Sequence, residues 1–192
     1  MGMTKALQEK LILSDEITKD KTTFCCVRYG NVLGSRGSVI PLWDKRLDQN
    51  KPLPITHPDM TRFMLTLSQA IDLVFYSLKN SKGGEIFVKK APATKMINLA
   101  RAYAELKTGK KNYPLEYIGI RAGEKIDEVL VSEEEMRRVQ EKKDHFVIKR
   151  EAEIDNRFVK KSTKFTEYGS GTISPLNIEE LKSLMKKLKW VM

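Results

Sequence analysis

Short β-prone runs alternate with stretches of helical periodicity along almost the whole chain, and this alternation restricts the fold to the α/β class. Leu7, Lys10, Leu11, Ser14 and Ile17 recur at spacings of three and four, which predicts a helix over residues 6–17. A β-prone run over 22–29 follows, then a loop over 30–37 with three glycines. Ser38 is placed to cap a helix reaching residue 49. Beyond Pro52 and Pro54 the spacing predicts an extended segment over 61–67 and a helix over 69–78 that starts at Ser68. A strand over 85–90 comes next, and then a helix from a Thr94 cap to residue 108, stopped by Gly109. Further on come a strand over 115–120, a helical stretch over 125–130, and a capping box at Ser132 opening a short helix to residue 140. The last elements are a strand over 145–149 and a helix over 178–188. Strands alternating with helices imply a sheet that is mostly parallel in its early part.

The 192 residues suffice for one ordinary domain or one and a half small ones, and 41% hydrophobic with 31% charged residues is ordinary for a globular core. No apolar run approaches the roughly 20 residues that cross a bilayer, and the start of the chain lacks the shape of a signal peptide. The expected setting is therefore cytoplasmic, with no membrane partner. The formal charge of +10 has two readings: an anionic partner, or solvated lysines on helix faces such as Lys186, Lys187 and Lys189. No nucleic-acid-binding motif accompanies the charge, so no nucleic-acid partner is expected. Cys25 and Cys26 are adjacent in an apolar run, where neighbours point to opposite faces, and read as core thiols. With His57 and His145 far apart, no metal site is expected. His57 reads as a loop residue, and Trp43 and Trp190 as packing residues.

A dinucleotide-binding fold carries a G-x-G-x-x-G turn after its first strand, and none occurs here; the stretch from Gly30 to Gly37 has the wrong spacing. Other phrases are specific. Met1-Gly-Met-Thr-Lys5, Arg28-Tyr-Gly-Asn-Val32, Gly34-Ser-Arg-Gly-Ser-Val-Ile-Pro41, Ile55-Thr-His-Pro-Asp-Met-Thr-Arg-Phe63, Gly84-Glu-Ile-Phe-Val88 and Gly119-Ile-Arg-Ala-Gly-Glu-Lys125 follow one another in order. Together they resemble the extended short-chain dehydrogenase/reductase family, and within it the polysaccharide-biosynthesis UDP-N-acetylglucosamine 4,6-dehydratases, the 5-epimerising ones included. The resemblance covers residues 1 to about 135, and more loosely the rest.

What the resemblance implies is the C-terminal part of a Rossmann-type parallel sheet plus a small α/β substrate-binding domain. Residues 1–50 would be the C-terminal remnant of the dinucleotide-binding domain, interleaved with the substrate domain, 51–150 mainly the nucleotide-sugar-binding domain, and 151–192 a C-terminal extension with a final helix. The implied lyase/isomerase chemistry starts with hydride transfer from sugar C4 to NADP, continues with loss of water across C5 and C6, and ends with hydride return to C6. The chain would supply the UDP-sugar site and be inactive alone, the glycine-rich turn and most acid/base groups coming from a missing N-terminal half. The alternative is a non-catalytic UDP-sugar-binding module. A homo-oligomer is implied for the whole enzyme, through the first helix.

Lys5 matches the lysine of a Tyr-x-x-x-Lys motif, with Met1 where the tyrosine would stand, as in some sugar dehydratase branches. The resemblance gives Lys5 a catalytic and cofactor-binding role, its charge lowering the pKa of a neighbouring hydroxyl; the other reading is a solvated lysine. Tyr29 is implied as cofactor-binding. Asn31 is implied to contact the nucleotide-sugar near the diphosphate, against a turn-forming asparagine between glycines. Ser35, Arg36 and Ser38 lie in a glycine-rich loop whose backbone N–H groups suit phosphate oxygens, or form a routine loop-to-helix junction, and Val39 would pack beside the base. Arg62 and Arg121 suit bidentate contact with a diphosphate. Arg62 sits in an apolar stretch and needs an anionic partner, which is either that diphosphate or a carboxylate of the protein. Glu124 would accept from ribose hydroxyls, or complement a helix dipole.

Overall fold

The computed structural model describes residues 2–14, 22–35, 37–150 and 165–187. In chain order the elements begin with α1 (Gly2–Ile12), β1 (Cys26–Arg28), β2 (Asn31–Val32), α2 (Val39–Asp48), β3 (Leu53–Ile55) and β4 (Thr61–Leu65). Next come α3 (Leu67–Asn80), β5 (Ile86–Lys89), β6 (Ala93–Lys95), α4 (Met96–Thr108) and β7 (Leu115–Tyr117). The series ends with β8 (Val129–Val131), α5 (Glu133–Met136), β9 (Val139–Glu141), β10 (His145–Ile148), β11 (Tyr168–Gly169) and α6 (Ile178–Lys187). The chain divides into two units, each assembled from three separated stretches. Unit 1 takes residues 1–29, 66–90 and 129–168; unit 2 takes 30–65, 91–128 and 169–192.

Unit 1 is built on a four-stranded sheet in the order β1-β5-β10-β9. β1 pairs parallel with β5, and β10 runs antiparallel to both β5 and β9. Side chains alternate across a strand, so this sheet feeds two apolar clusters. Ile86, Val88, Phe146 and Ile148 pack with Val131 and Cys26, whereas Phe87 and Val147 pack with Leu73 of α3, Cys25 and Val27. The adjacent cysteines thus serve opposite clusters, as the alternation requires. Both are half-buried rather than fully enclosed. Burial, reinforced by the charge of Glu9, pushes the Cys26 thiol up to about 11, which makes it a packing group and not a nucleophile.

Arg28, at the end of β1, ties this unit together. Its guanidinium donates to both carboxylate oxygens of Glu9 on α1, to both of Glu135 on α5 (2.7 and 2.8 Å), and to the carbonyl of Leu130. Burial opposes ionisation of Glu135, yet the hydrogen bonds from Arg28 and the Ser132 N–H outweigh it and hold the carboxyl below its ordinary range.

Unit 2 holds a three-stranded sheet in the order β2-β4-β6 and the parallel pair β3-β7. β2 runs parallel to β4, and β6 antiparallel to it. Its core gathers Trp43 from α2, Leu53 and Ile55 from β3, Met64 from β4, Leu99 and Tyr103 from α4, and Leu181 and Met185 from α6. Gly30 is required where β2 begins, because a Cβ there would collide with Phe63 of β4. With parallel and antiparallel strands mixed and helices between them, the α/β class stands as expected.

Several local expectations hold to within a few residues. Gly109 ends α4 in the left-handed conformation, and Ser132 with Glu135 forms a complete capping box. Others do not. α1 spans Gly2–Ile12 rather than 6–17; Ser14 Oγ donates to the Leu11 carbonyl at its end, and residues 15–17 lie outside the described ones. α3 starts at Leu67, with Thr66 rather than Ser68 outside it, and α5 stops at Met136 because the chain turns into β9. The helix expected over 125–130 is absent. The carbonyls of Lys125 and Ile126 accept from the Arg62 side chain, and that of Glu128 from the Ser170 N–H, so none is left to build helical turns.

Candidate functional site

A cavity of about 590 Å³ opens in unit 2, within the range of small-molecule sites. Its lining has an apolar part, with Trp43, Pro54, Ile55, Met60, Met64, Met96, Leu99 and Ile118, and a polar part, with Asn31, Ser35, Ser38, Lys45, Thr56, Arg62, Arg121 and Glu124. Asn31, Ser35, Ser38, Val39, Arg62, Arg121 and Glu124, all singled out from the sequence, therefore line one space although they lie up to about ninety residues apart. Lys5 and Tyr29 belong to unit 1 and are not among the lining residues; both are exposed to solvent. Arg36 and Met1 lie outside the described residues, as does Trp190.

The loop over 33–38 runs from β2 into α2. Ser38 stands at the N-cap with extended backbone but makes no side-chain cap hydrogen bond, and its buried Oγ has no partner. The N–H groups of the first turn of α2 therefore keep their capacity for an acceptor beside the cavity.

Arg62 is the most engaged cation of the site. Its side chain is 12% exposed. Nη1 donates to the carbonyls of Thr61 (2.6 Å) and Ile126 (2.9 Å), and Nη2 to that of Lys125 (2.9 Å). Carboxylates stand further off, Glu128 at 3.5 Å and Glu124 at 3.9 Å. The anionic partner that the apolar surroundings demanded thus includes protein carboxylates. Arg121 is exposed, and its loop is closed by Glu124, whose carboxylate accepts from the Arg121 N–H and whose own N–H donates to the Arg121 carbonyl.

Glu128 was not singled out from the sequence. It belongs to no motif, and the helix expected over 125–130 gave it no distinct role; the one signal for it was the need of Arg62 for a carboxylate. Turned so that its nitrogen faces the carboxylate, the Asn31 amide donates to both Glu128 oxygens at 2.9 and 3.0 Å. Burial raises the Glu128 pKa above its ordinary value, against the opposing pull of Arg62, the Phe63 N–H and Lys125. A hydroxyl network braces the same turn: Thr61 Oγ1 lies 2.5 Å from Asp127 Oδ1 and 2.6 Å from Ser170 Oγ, and Ser170 Oγ accepts from the Glu128 N–H. Also missed from the sequence were Lys45, Thr56 and the three methionines of the apolar lining, which look like ordinary surface or core residues. Trp43 is packed as expected, fully buried, its indole N–H donating to the Pro54 carbonyl, and it also backs the cavity. His57 is a loop residue whose Nδ1 accepts from the Asp59 N–H. Among the described residues no cluster of His, Cys, Asp and Glu could hold a metal ion, and no helix is long and apolar enough to cross a membrane.

A cavity lined by apolar side chains together with cations, a helix N-terminus and hydroxyls suits a small anionic ligand with a flat or apolar part. The chain is 41% identical over 199 residues to a UDP-glucose 4-epimerase of Rickettsia bellii, all of this chain against 58% of that protein. The structure of Pen from Bacillus thuringiensis superposes with a TM-score of 0.86 at 35% identity, covering 100% of this chain and 58% of that one. A dTDP-glucose 4,6-dehydratase from Bacillus anthracis, solved in complex with NAD, shares the fold at a TM-score of 0.54 and 18% identity, over 62% of this chain and 39% of that one. The chain thus spans 58% of the length of the curated relatives it matches. Residues 1–150 match the family described as "Polysaccharide biosynthesis protein", and the chain belongs to that family.

Proposed function

We propose that unit 2 holds a UDP-sugar, and that the chain serves a nucleotide-sugar 4,6-dehydratase/5-epimerase acting on UDP-N-acetylglucosamine in surface polysaccharide biosynthesis. The observation that carries this reading is the single cavity lined by Asn31, Ser38, Arg62, Arg121 and Glu124. The diphosphate would lie between the start of α2 and Arg121, where N–H groups and a guanidinium offer charge-assisted hydrogen bonds. Glu124 would accept from the ribose hydroxyls, and Val39 with the apolar lining would take the base. Relatives of this chain are named UDP-glucose 4-epimerase, so the substrate in their name is also a UDP-sugar, which supports the reading.

A nicotinamide cofactor, NADP in this reading, supplies hydride acceptance and return when bound. The residues here that fit it are few: the exposed Lys5 ammonium on α1 and the Tyr29 phenol beyond β1, both suited to ribose hydroxyls. The 192 residues contain no G-x-G-x-x-G turn, so these residues alone are expected not to turn over. The apolar stripe Met3, Leu7 and Leu11, exposed along α1, supports a homo-oligomer in the whole enzyme, and a cytoplasmic setting fits a nucleotide-sugar substrate.

Calorimetric titration of the chain with UDP and UDP-glucose tests the reading. Saturable binding is expected, and Arg121→Ala should weaken it by about tenfold through loss of a charge-assisted contact. Absence of binding at millimolar nucleotide would overturn it.

A further inference from the structure

The Glu128 carboxylate reaches the cavity residues from behind. It is not among the lining groups, yet Asn31 and Arg62, which are, both face it. Its main chain is fixed on both sides: the N–H donates to Ser170 Oγ at 2.8 Å and the carbonyl accepts from the Ser170 N–H at 2.7 Å. Its carboxylate oxygens stand 2.9 and 3.0 Å from one end of the Asn31 amide, accept from the Phe63 N–H, and lie 3.5 Å from Arg62 Nε, with the charge of Lys125 also felt. An ionised carboxylate only accepts hydrogen bonds, whereas an asparagine amide has a donating end and an accepting end. The nitrogen of Asn31 must therefore face Glu128, and the carbonyl oxygen is what remains to face the cavity.

We propose that Glu128 is a positioning residue that fixes the orientation of the Asn31 amide, so that Asn31 presents an acceptor to the ligand. An acceptor repels phosphate oxygens and selects a hydroxyl or amide N–H. The part of a nucleotide-sugar that Asn31 reads is then a hydrogen-bond donor of the sugar and not the diphosphate. This rests on the UDP-sugar reading above for the identity of the ligand; the orientation of the amide does not depend on it.

Two measurements on the 192-residue chain separate these parts. In nitrogen–proton spectra, the side-chain NH2 signals of Asn31 should move with pH at the midpoint of the Glu128 carboxyl, and Glu128→Gln should abolish the movement. Signals that stay put in the unsubstituted chain overturn the proposal, whether or not any ligand binds. In calorimetry, Glu128→Gln and Asn31→Ala should each weaken UDP-glucose by about tenfold, the scale of one hydrogen bond in a buried polar network, but UDP by no more than about twofold. Equal losses for the two ligands would mean that Asn31 reads the diphosphate, which overturns the proposal. Absence of UDP-glucose binding by the unsubstituted chain would instead overturn the UDP-sugar reading, and the spectra would still decide the orientation.

Discussion

Among the described residues each unit holds one arginine within a strand, Arg28 in β1 and Arg62 in β4, and the two are employed differently. Arg28 of unit 1 is gripped by Glu9 and Glu135 through direct hydrogen bonds, and its side chain is 24% exposed. Arg62 of unit 2 is more buried, at 12%, yet its direct partners are three backbone carbonyls, with carboxylates only at 3.5 and 3.9 Å. Two contacting carboxylates neutralise a guanidinium locally; carbonyl dipoles hold it in place without cancelling its charge. Arg28 therefore reads as a fastener of α1, β1 and α5. Arg62 is held chiefly by carbonyls, and its two carboxylates, at ion-pair distance without a hydrogen bond, engage it less tightly, so a ligand anion at the cavity can compete for it.

The largest expected effect lies in unit 1. Arg28→Ala leaves two carboxylates facing each other and should lower the unfolding free energy by about 3 kcal/mol, as measured by urea titration. Affinity for UDP-glucose should change little. A loss under about 1 kcal/mol would mean that solvent screens the cluster and that the contrast with Arg62 is overstated. The next effect belongs to Arg62. Arg62→Ala should weaken UDP-glucose by at least about tenfold and cost about 1–2 kcal/mol of stability, since three carbonyls lose their donor. Arg62→Lys should not restore either quantity, because one ammonium cannot reproduce a planar fork that reaches Thr61, Lys125 and Ile126 together. Full rescue by lysine would show that charge alone matters at this position.

The difference between the arginines was half legible in the sequence. An arginine within the apolar stretch from Met60 to Leu67 demands a partner, and that inference pointed to a carboxylate or a ligand anion. Which carboxylate was not legible, because Glu128 lies in a stretch whose local pattern reads as helix. That helix fails because the carbonyls it would consume are taken by Arg62 and Ser170, partners 42 to 64 residues away. Local signals with local causes were read well: the Gly109 stop, the Ser132 capping box and the strand at Ile86–Lys89 depend only on near neighbours. The residues of the cavity were legible through motif resemblance, whereas its methionine lining was not, since a pocket-lining methionine and a core methionine look alike in sequence. The threading of the chain through two units in alternating stretches depends on long-range strand pairing, which no composition shift marks.

Two carboxylates carry the comparison into pH. Both Glu135 and Glu128 are opposed by burial, but hydrogen bonds from Arg28 and Ser132 leave the former below its ordinary value of 4.5, while the latter stays above it. A depressed carboxyl contributes stability that is present above its ordinary value and lost as pH falls through the depressed one. A raised carboxyl imposes a cost that is full above the raised value and is relieved as pH falls toward the ordinary one. The Glu135→Gln and Glu128→Gln variants should therefore differ from the unsubstituted chain with opposite pH slopes, Glu128 above its ordinary value and Glu135 below it, measured as unfolding free energy from about pH 7 to about pH 2. Slopes of the same sign would remove the distinction between a carboxylate that fastens and one that is held against its preference.

The smallest and cleanest comparison uses two N-caps. Thr66, before α3 in unit 1, accepts from the Gln69 N–H at 3.1 Å while Gln69 Oε1 accepts from the Thr66 N–H at 2.9 Å. Ser38, before α2 in unit 2, has the same kind of extended backbone but makes no cap hydrogen bond, and its Oγ is buried without a partner. A made cap stabilises and an unmade one does not, so Thr66→Ala should cost about 1 kcal/mol by urea titration while Ser38→Ala should cost nothing measurable. Affinity should show the reverse. Ser38→Ala removes a hydroxyl that has no partner in the fold but lines the cavity, and should weaken UDP by about threefold; Thr66→Ala should leave UDP binding unchanged. If Ser38→Ala instead destabilises the chain and spares UDP binding, the start of α2 is an ordinary helix end, and the phosphate must be sought nearer Arg121.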